Sequence, residues 1–330
     1  MQLLHGYLGF GNYGDELLAK LVTHALKQDK PDEEIDRLSA KNSWLEHFSK
    51  ISDCKEMICI GGLFQDKSSP RTPVYYFLTI LFAKLMGKRV KILAQGIGPL
   101  NRWQSSLMTF LAFKLADKVS VRDQNSHLML KDWGVDHYYG SDLAWLLAED
   151  STIKEYDPET SKPISKILPA QSKEKISKYF FGLAGDGSQK VPVISIRNEA
   201  DDHSGEFAIR LVDKIAKELD INENSSIVIL QMQDQDRKIH DLFYRYTKKI
   251  YLVEASYFSP EEIVHILRTY GSSMIAMRFH ALVFAKIAGL DNITAIASDP
   301  KIREFTHQVD VYTTEDLRDR AHKHFEKVLF

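Results

Sequence analysis

The chain has 330 residues, with 43 Lys and Arg against 45 Asp and Glu, for a formal net charge of -2. That balance excludes a nucleic-acid-binding surface that is basic over the whole molecule, and 2 cysteines, Cys54 and Cys59, are too few for a disulfide scaffold or a Cys-rich zinc site. A hydrophobic share of 44% with 27% charged residues suits a globular chain long enough for two domains.

The chain starts with "QLLHGY", an apolar strand, then "DELLAKLVTHALKQ", an amphipathic helix with an acidic opening. "EIDRLSA" is a weaker strand. "EMICIGG" is a buried strand that carries one reduced thiol and ends in Gly61-Gly62. "TPVYYFLTILFAKLMG" reads as a helix with Pro73 in its first turn and Gly87 at its end. "RVKILAQGIGP" and "KVSVRD" are strands separated by the helix "RWQSSLMTFLAFKLAD"; a short helix, "QNSHLMLKDWG", and a last strand, "DHYYGSD", complete this half. The apolar run near Tyr75 is interrupted at Lys84 and is too short to span a bilayer, and "MQLLHGYLGF" lacks the basic start of a secretory leader. The expectation is a cytoplasmic protein, with contact at the inner face of the membrane left open.

From about Ala148 to Lys190 the periodicity fades into a polar stretch with three prolines and then "FFGLAGDGSQK". The alternation then resumes with the strands "VPVISIR", "SSIVILQMQ", "IYLVEA", "SSMIAM" and "NITAIAS". Helices over 206–219, 234–249, 259–270 and 278–289 lie between them, and two more finish the chain. Ser259, Pro260 and Glu262 form the signature of a capping box. Repeated βα units with apolar strands predict parallel sheets covered on both faces. The fold class is therefore α/β, with two Rossmann-like domains whose sheets face a cleft. Residues 1–150 form the first, 151–190 a linker, and 191–330 the second.

Gly9-Phe10-Gly11-Asn12-Tyr13-Gly14 matches the G-x-G-x-x-G pattern of dinucleotide sites, after a strand and before a helix. Asp15 and Glu16, however, occupy the helix N-terminus where a pyrophosphate would sit, and would repel it. The loop therefore shapes a turn, or approaches a neutral sugar or the other domain. In open α/β sheets ligands bind beyond the carboxyl ends of the strands, and there the sequence places Arg122, Arg197 and Arg278, with His280 two residues after Arg278 and Lys301 after the last strand. A guanidinium at such an end meets either an internal acid or a bound anion. His280 is structural or an acid/base group. "DQD" at 234–236 reads as a helix cap, and the histidines show no metal-ligand spacing.

"GYLGFGNYGDELL", "CIGGLFQD", "LAQGIGPL", "VSVRDQNS", "SDLAWLL", "ISIR", "MRFHALVFA" and "SDPKI" follow one another as in the polysaccharide pyruvyl transferases, which the chain resembles from residue 4 to about residue 310. The resemblance implies a GT-B-like fold and transfer of the enolpyruvyl unit of phosphoenolpyruvate to a sugar of a cell-wall or exopolysaccharide chain, free or lipid-linked. A pyruvate ketal forms and phosphate is released. It further implies that Arg197, Arg278, Phe279, His280, Lys301 and Arg122 bind the donor, with His280 catalytic. Gly9, Gly11, Asn12, Asp15, Glu16, Gly61, Gly62, Gln65 and Asp66 would face the acceptor. No cofactor, metal or nucleic acid is implied. The alternative is a glycosyltransferase of the same architecture using a nucleotide-sugar, with Glu254 holding ribose hydroxyls.

Overall fold

The computed structural model describes residues 1–67, 69–149, 190–197, 205–297 and 300–330. The expected linker, except for Lys190, lies outside them. The chain divides into two compact units, Met1–Leu146 with Val311–Phe330, and Leu147–Asp310.

The first unit runs β1 (Gln2–His5), α1 (Tyr13–Asp29), β2 (Ile35–Leu38), α2 (Trp44–Asp53), β3 (Glu56–Ile60), α3 (Arg71–Leu85), β4 (Arg89–Gln95), α4 (Trp103–Leu115), β5 (Lys118–Val121), α5 (Gln124–Asp132) and β6 (Tyr138–Tyr139). Among the described residues its strands make a parallel sheet in the order β2-β1-β3-β4-β5-β6. β1 and β3 are buried along their whole length, as central parallel strands must be. α1 starts where Asn12 accepts a hydrogen bond from the Gly14 amide, and Asp15 and Glu16 face the positive end of its dipole.

The second unit runs β7 (Val191–Ser195), α6 (Glu206–Glu218), β8 (Ser226–Gln231), α7 (Arg237–His240), β9 (Lys249–Glu254), α8 (Pro260–Tyr270), β10 (Gly271–Ala276), α9 (Phe279–Ile287), β11 (Asn292–Ala295) and α10 (Pro300–Val311). Its strands are parallel in the order β11-β10-β7-β8-β9. The capping box at Ser259 and Glu262 forms as expected.

Two expectations change. The segment 234–249 is not one helix: α7 lies between two 3-10 turns, Asp234–Asp236 and Asp241–Arg245. Asp236 is buried there, and its side chain caps nothing. The end of the chain, expected in the second domain, belongs to the first unit. There α11 (Thr314–His324) and the turn after it put Phe325, Val328 and Leu329 into a core with Leu4, Leu8, Ile58 and Ile60. Each such side chain, fully buried, contributes roughly 1.5–3 kcal/mol.

Each sheet has one place where the strand order reverses direction. In the first it lies between β1 and β3, in the second between β7 and β10. Connections leave such neighbouring strands toward opposite sides, which opens a crevice at their carboxyl ends.

Candidate functional site

The reversal in the second unit holds the two arginines that the strand ends singled out. β7 and β10 pair with Ser195 opposite Ala276, and the ladder continues as the Met277 amide donates to the Ser195 carbonyl at 2.8 Å. Two residues further on, Arg197 and Arg278 leave neighbouring strands. Arg278 is the N-cap of α9, and Phe279 and His280 are its first residues. The amides of that first turn point toward the same strand end and add partial positive charge to it. The Phe279 ring stands edge-on to His280, with centroids 5.4 Å apart.

Arg278 is held by an internal acid. Its Nε donates to Asp236 Oδ2 at 3.1 Å, its Nη2 to the other carboxylate oxygen, and Nη2 also reaches Gln233 Oε1 at 3.1 Å. This two-pronged bond fixes the guanidinium plane and leaves Nη1 without a partner among the described residues. Burial pushes the Asp236 carboxyl above its ordinary value, against the opposing pull of Arg278, its hydrogen bonds and the charge of Arg197. One carboxylate therefore lies within electrostatic reach of both guanidinium groups. Beneath them His240 is buried. Its Nε2 donates to the Ile196 carbonyl at 2.9 Å, so the proton is on Nε2 and Nδ1 is bare. Burial lowers this imidazole from 6.5 to about 3, with the charges of Arg278 and Arg237 adding to the effect and the hydrogen bond opposing it. It stays neutral and pins the backbone next to Arg197.

Asp236, Gln233 and His240 were missed in the sequence. Their signal was the spacing Gln233, Asp236, His240 just beyond β8, on the strand next to β7. Reading "DQD" as a cap hid it.

Arg122 belongs to the first unit. It is buried and paired with Asp142. It packs so tightly on the loop after β4 that a Cβ at Gly96 would lie 3.0 Å from its Nε and 2.9 Å from Asp123 Oδ2. Lys301 lies in the first turn of α10, and its side chain is outside the described part of the structure. Glu254, considered for a ribose, ends the edge strand β9 and accepts from Arg237 Nη1 at 3.1 Å.

The other group of expected residues gathers at the reversal of the first sheet, on the loops after β1 and β3. Asn12 joins them: its amide donates to Asp15 Oδ2 at 2.6 Å while its Oδ1 caps α1. Gly61, after β3, has φ +92°, and a Cβ there would lie 2.8 Å from Asp15 Oδ1. Only glycine lets the two loops meet at this carboxylate. Gly62 and Gln65 follow, both half-buried. Glu16 is occupied: it accepts from the Gly9 amide at 2.6 Å and from Arg37 at 3.2 Å, closing the loop of Gly9 and Gly11 upon itself. Asp66 is fully buried and accepts from the amides of Asn101 and Arg102 at 2.7 and 2.9 Å, which makes it an anchor for the start of α4.

A family model described as polysaccharide pyruvyl transferase matches residues 12–293. A comparison with curated proteins finds no match. Among solved structures, the UDP-GlcNAc 2-epimerase of Neisseria meningitidis bound to UDP-GlcNAc is similar at a TM-score of 0.56 and 12% identity, over 99% of this chain and 91% of that one. The UDP-GlcNAc 2-epimerase of Methanocaldococcus jannaschii gives 0.56 and 12%, over 98% and 91%. The structure of S. aureus MnaA with UDP gives 0.56 and 10%, over 98% and 87%. At such identities the likeness shows the fold alone, the GT-B type with two parallel-sheet α/β domains. Since the matched stretch runs from the cap of α1 into β11 and so covers most of both parallel-sheet units, the chain belongs to the polysaccharide pyruvyl transferase family.

Proposed function

We propose that the protein transfers the pyruvyl unit of phosphoenolpyruvate to two hydroxyls of a sugar in a polysaccharide or its precursor, forming a ketal and releasing phosphate. The observation that carries this reading is the placement of Arg197 and Arg278 on neighbouring strand ends at the reversal of the second sheet, beside the amino end of α9. A three-carbon donor with a carboxylate and a phosphate calls for fixed cations. Arg278 is set in one plane by Asp236 and Gln233, and Arg197 is set by a backbone that His240 pins.

His280 gives a proton to the methylene carbon, C3, which becomes a methyl group. C2 then takes on oxocarbenium character. A first acceptor hydroxyl bonds to C2 and loses its proton, the C2–O bond to phosphate breaks, and a second hydroxyl closes the ketal. Of the two hydroxyl protons, one restores the acid and the other leaves with phosphate. The guanidinium groups and the helix amides stabilise the charge that builds on the departing phosphate. The acceptor hydroxyls fall to the loops around Asp15. The rival reading, a nucleotide-sugar transferase, loses support because Glu254 is tied to Arg237 on an edge strand.

The test is incubation with phosphoenolpyruvate and a panel of sugar acceptors, following free phosphate and the methyl signal of the ketal. His280→Ala should lower acceptor-dependent phosphate release by about 100-fold or more, the usual scale of a general acid, with an unchanged circular dichroism spectrum. Full turnover by that variant, or saturation by a nucleotide-sugar and not by phosphoenolpyruvate, overturns the reading.

A further inference from the structure

Acids outnumber bases by 45 to 43 in the chain, yet from Lys67 to Ala116 there is no Asp or Glu, and there are eight Lys and Arg. That stretch contains α3 and α4. With α2, these helices cover one face of the first sheet. Ile51, Tyr76, Ile80, Ala83, Ala112 and Phe113 share a core with β3 and β4 there, whereas α1 belongs to the core on the other face.

A helix that covers a sheet ordinarily turns polar residues outward. These helices turn apolar ones outward too. On α3, the residues about half a turn from the buried Tyr76, Ile80 and Ala83 include Leu78 and Leu85, both exposed, Leu85 at 76%. On α4, Trp103, 72% exposed, and Leu107 stand one turn apart, opposite the buried Ser105, Thr109 and Ala112. On α2, Leu45 is 80% exposed, and the Phe48 ring meets Phe82 of α3 edge-on with centroids 4.6 Å apart. Each outward stripe also carries a cation. Arg71 is seven residues before Leu78 on α3, and Lys114 is seven after Leu107 on α4. Monomeric soluble proteins seldom leave such an apolar surface open to water.

We infer that the outer faces of α2, α3 and α4 seat the protein on an anionic lipid surface, with Leu45, Leu78, Leu85 and Trp103 at the boundary between headgroups and acyl chains. Helices that lie in that boundary combine an apolar face that includes Trp, Phe or Leu with Lys and Arg beside it. None of the described helices is long and apolar enough to cross a membrane, so α3 would lie in the membrane plane. Charge favours lipid over a protein occupant. Three of the cations meet acids from outside the stretch: Lys84 meets Asp117, Lys91 meets Glu56 and Arg102 meets Asp66. Lys114 donates to the Gly134 carbonyl, which leaves its charge in place, and Arg71 is exposed. The acids of α2, Glu46 and Asp53, lie on the side turned away from α3, and Glu46 is held in the capping box of its helix. A second copy docked about a two-fold axis would set these cations against themselves. The inference stands apart from the pyruvyl-transfer reading, since lipid binding needs neither donor nor acceptor.

The test is sedimentation of the full-length protein with vesicles of phosphatidylcholine, with and without phosphatidylglycerol. Tryptophan emission and the oligomeric state by light scattering are read alongside. The wild type should bind the anionic vesicles about tenfold or more tightly than the neutral ones, and less tightly as salt is raised. Its emission should shift to the blue as Trp103 leaves water, and Trp103→Phe should lose most of that shift. The triple variant Leu45→Gln, Leu78→Gln, Leu85→Gln should bind anionic vesicles about tenfold or more weakly, with an unchanged circular dichroism spectrum because all three side chains are exposed. Arg71→Gln with Lys114→Gln should weaken binding to anionic vesicles about tenfold and leave binding to neutral ones unchanged; this pair supplies the test if the triple variant does not fold. Failure of the wild type to sediment with either vesicle overturns the inference, as does undiminished binding by the triple variant. A wild-type dimer that the triple variant dissolves, with no vesicle binding, also overturns it and makes the face an interface between copies.

Discussion

Asp236 is the residue on which the geometry of the proposed donor site turns. It is buried, it takes two bonds from Arg278, and it has no other role in its own short helical turn. Asp236→Asn keeps the shape but cannot accept both bonds from the guanidinium fork. The expected result is a rise of about tenfold or more in the KM for phosphoenolpyruvate with a smaller change in kcat, since a misplaced cation weakens donor binding first. Asp236→Ala should in addition destabilise the second unit by about 3 kcal/mol or more, because it strands a largely buried charge; denaturant unfolding measures this. An unchanged KM in Asp236→Asn would mean that Arg278 is not a donor ligand. The arginines and His280 were legible in the sequence because strand ends are where α/β sheets work. Asp236 was not, because its partner lies 42 positions away and nothing local distinguishes an inward acid from a cap.

Among the elements, the last helix is the least expected. α11 belongs to the first unit, where the Ser141 hydroxyl donates to the Leu317 carbonyl and His324 Nε2 donates to the Ser141 carbonyl at 2.7 Å. His324 is fully buried against Gly140, where no Cβ would fit. Burial lowers His324 from 6.5 to about 4, and His5, enclosed by Leu38 and Thr79, likewise to about 4. Both fold neutral. Below pH 6.5 the unfolded chain takes up protons that the folded unit refuses, so stability is full above that value and falls as the pH drops toward 4. At the lower limit each residue withdraws about 3 kcal/mol. Thermal melts of the wild type should fall steeply across this window, and His324→Gln should show a shallower fall; an equal slope would refute the assignment. Strands and amphipathic helices could be read from periodicity in both halves. The destination of α11 could not, because its apolar residues fit either core and only packing chooses.

At the scale of the molecule, the same device is used twice. In each sheet the strand order reverses once, and the loops at that reversal carry the groups of the proposed site: carboxylate and amide groups after β1 and β3, cations and an imidazole after β7 and β10. Length suited two domains, and the alternation of apolar strands with amphipathic helices announced that both are α/β. The division of labour proposed for the sheets rests on charge: two arginines beside a helix amino end suit an anion, and the loops around Asp15 are left for sugar hydroxyls. The chain leaves the first unit at Leu146 and rejoins it at Val311. On a ribosome, then, the intervening unit has emerged entire while its host still lacks the segment bearing Phe325, Val328 and Leu329. Nascent chains stalled soon after residue 310 clears the exit tunnel should resist protease across residues 205–297 and be cut within the first 146 residues, which become protected once residues 311–330 have also emerged. A segment made later closes a core begun earlier.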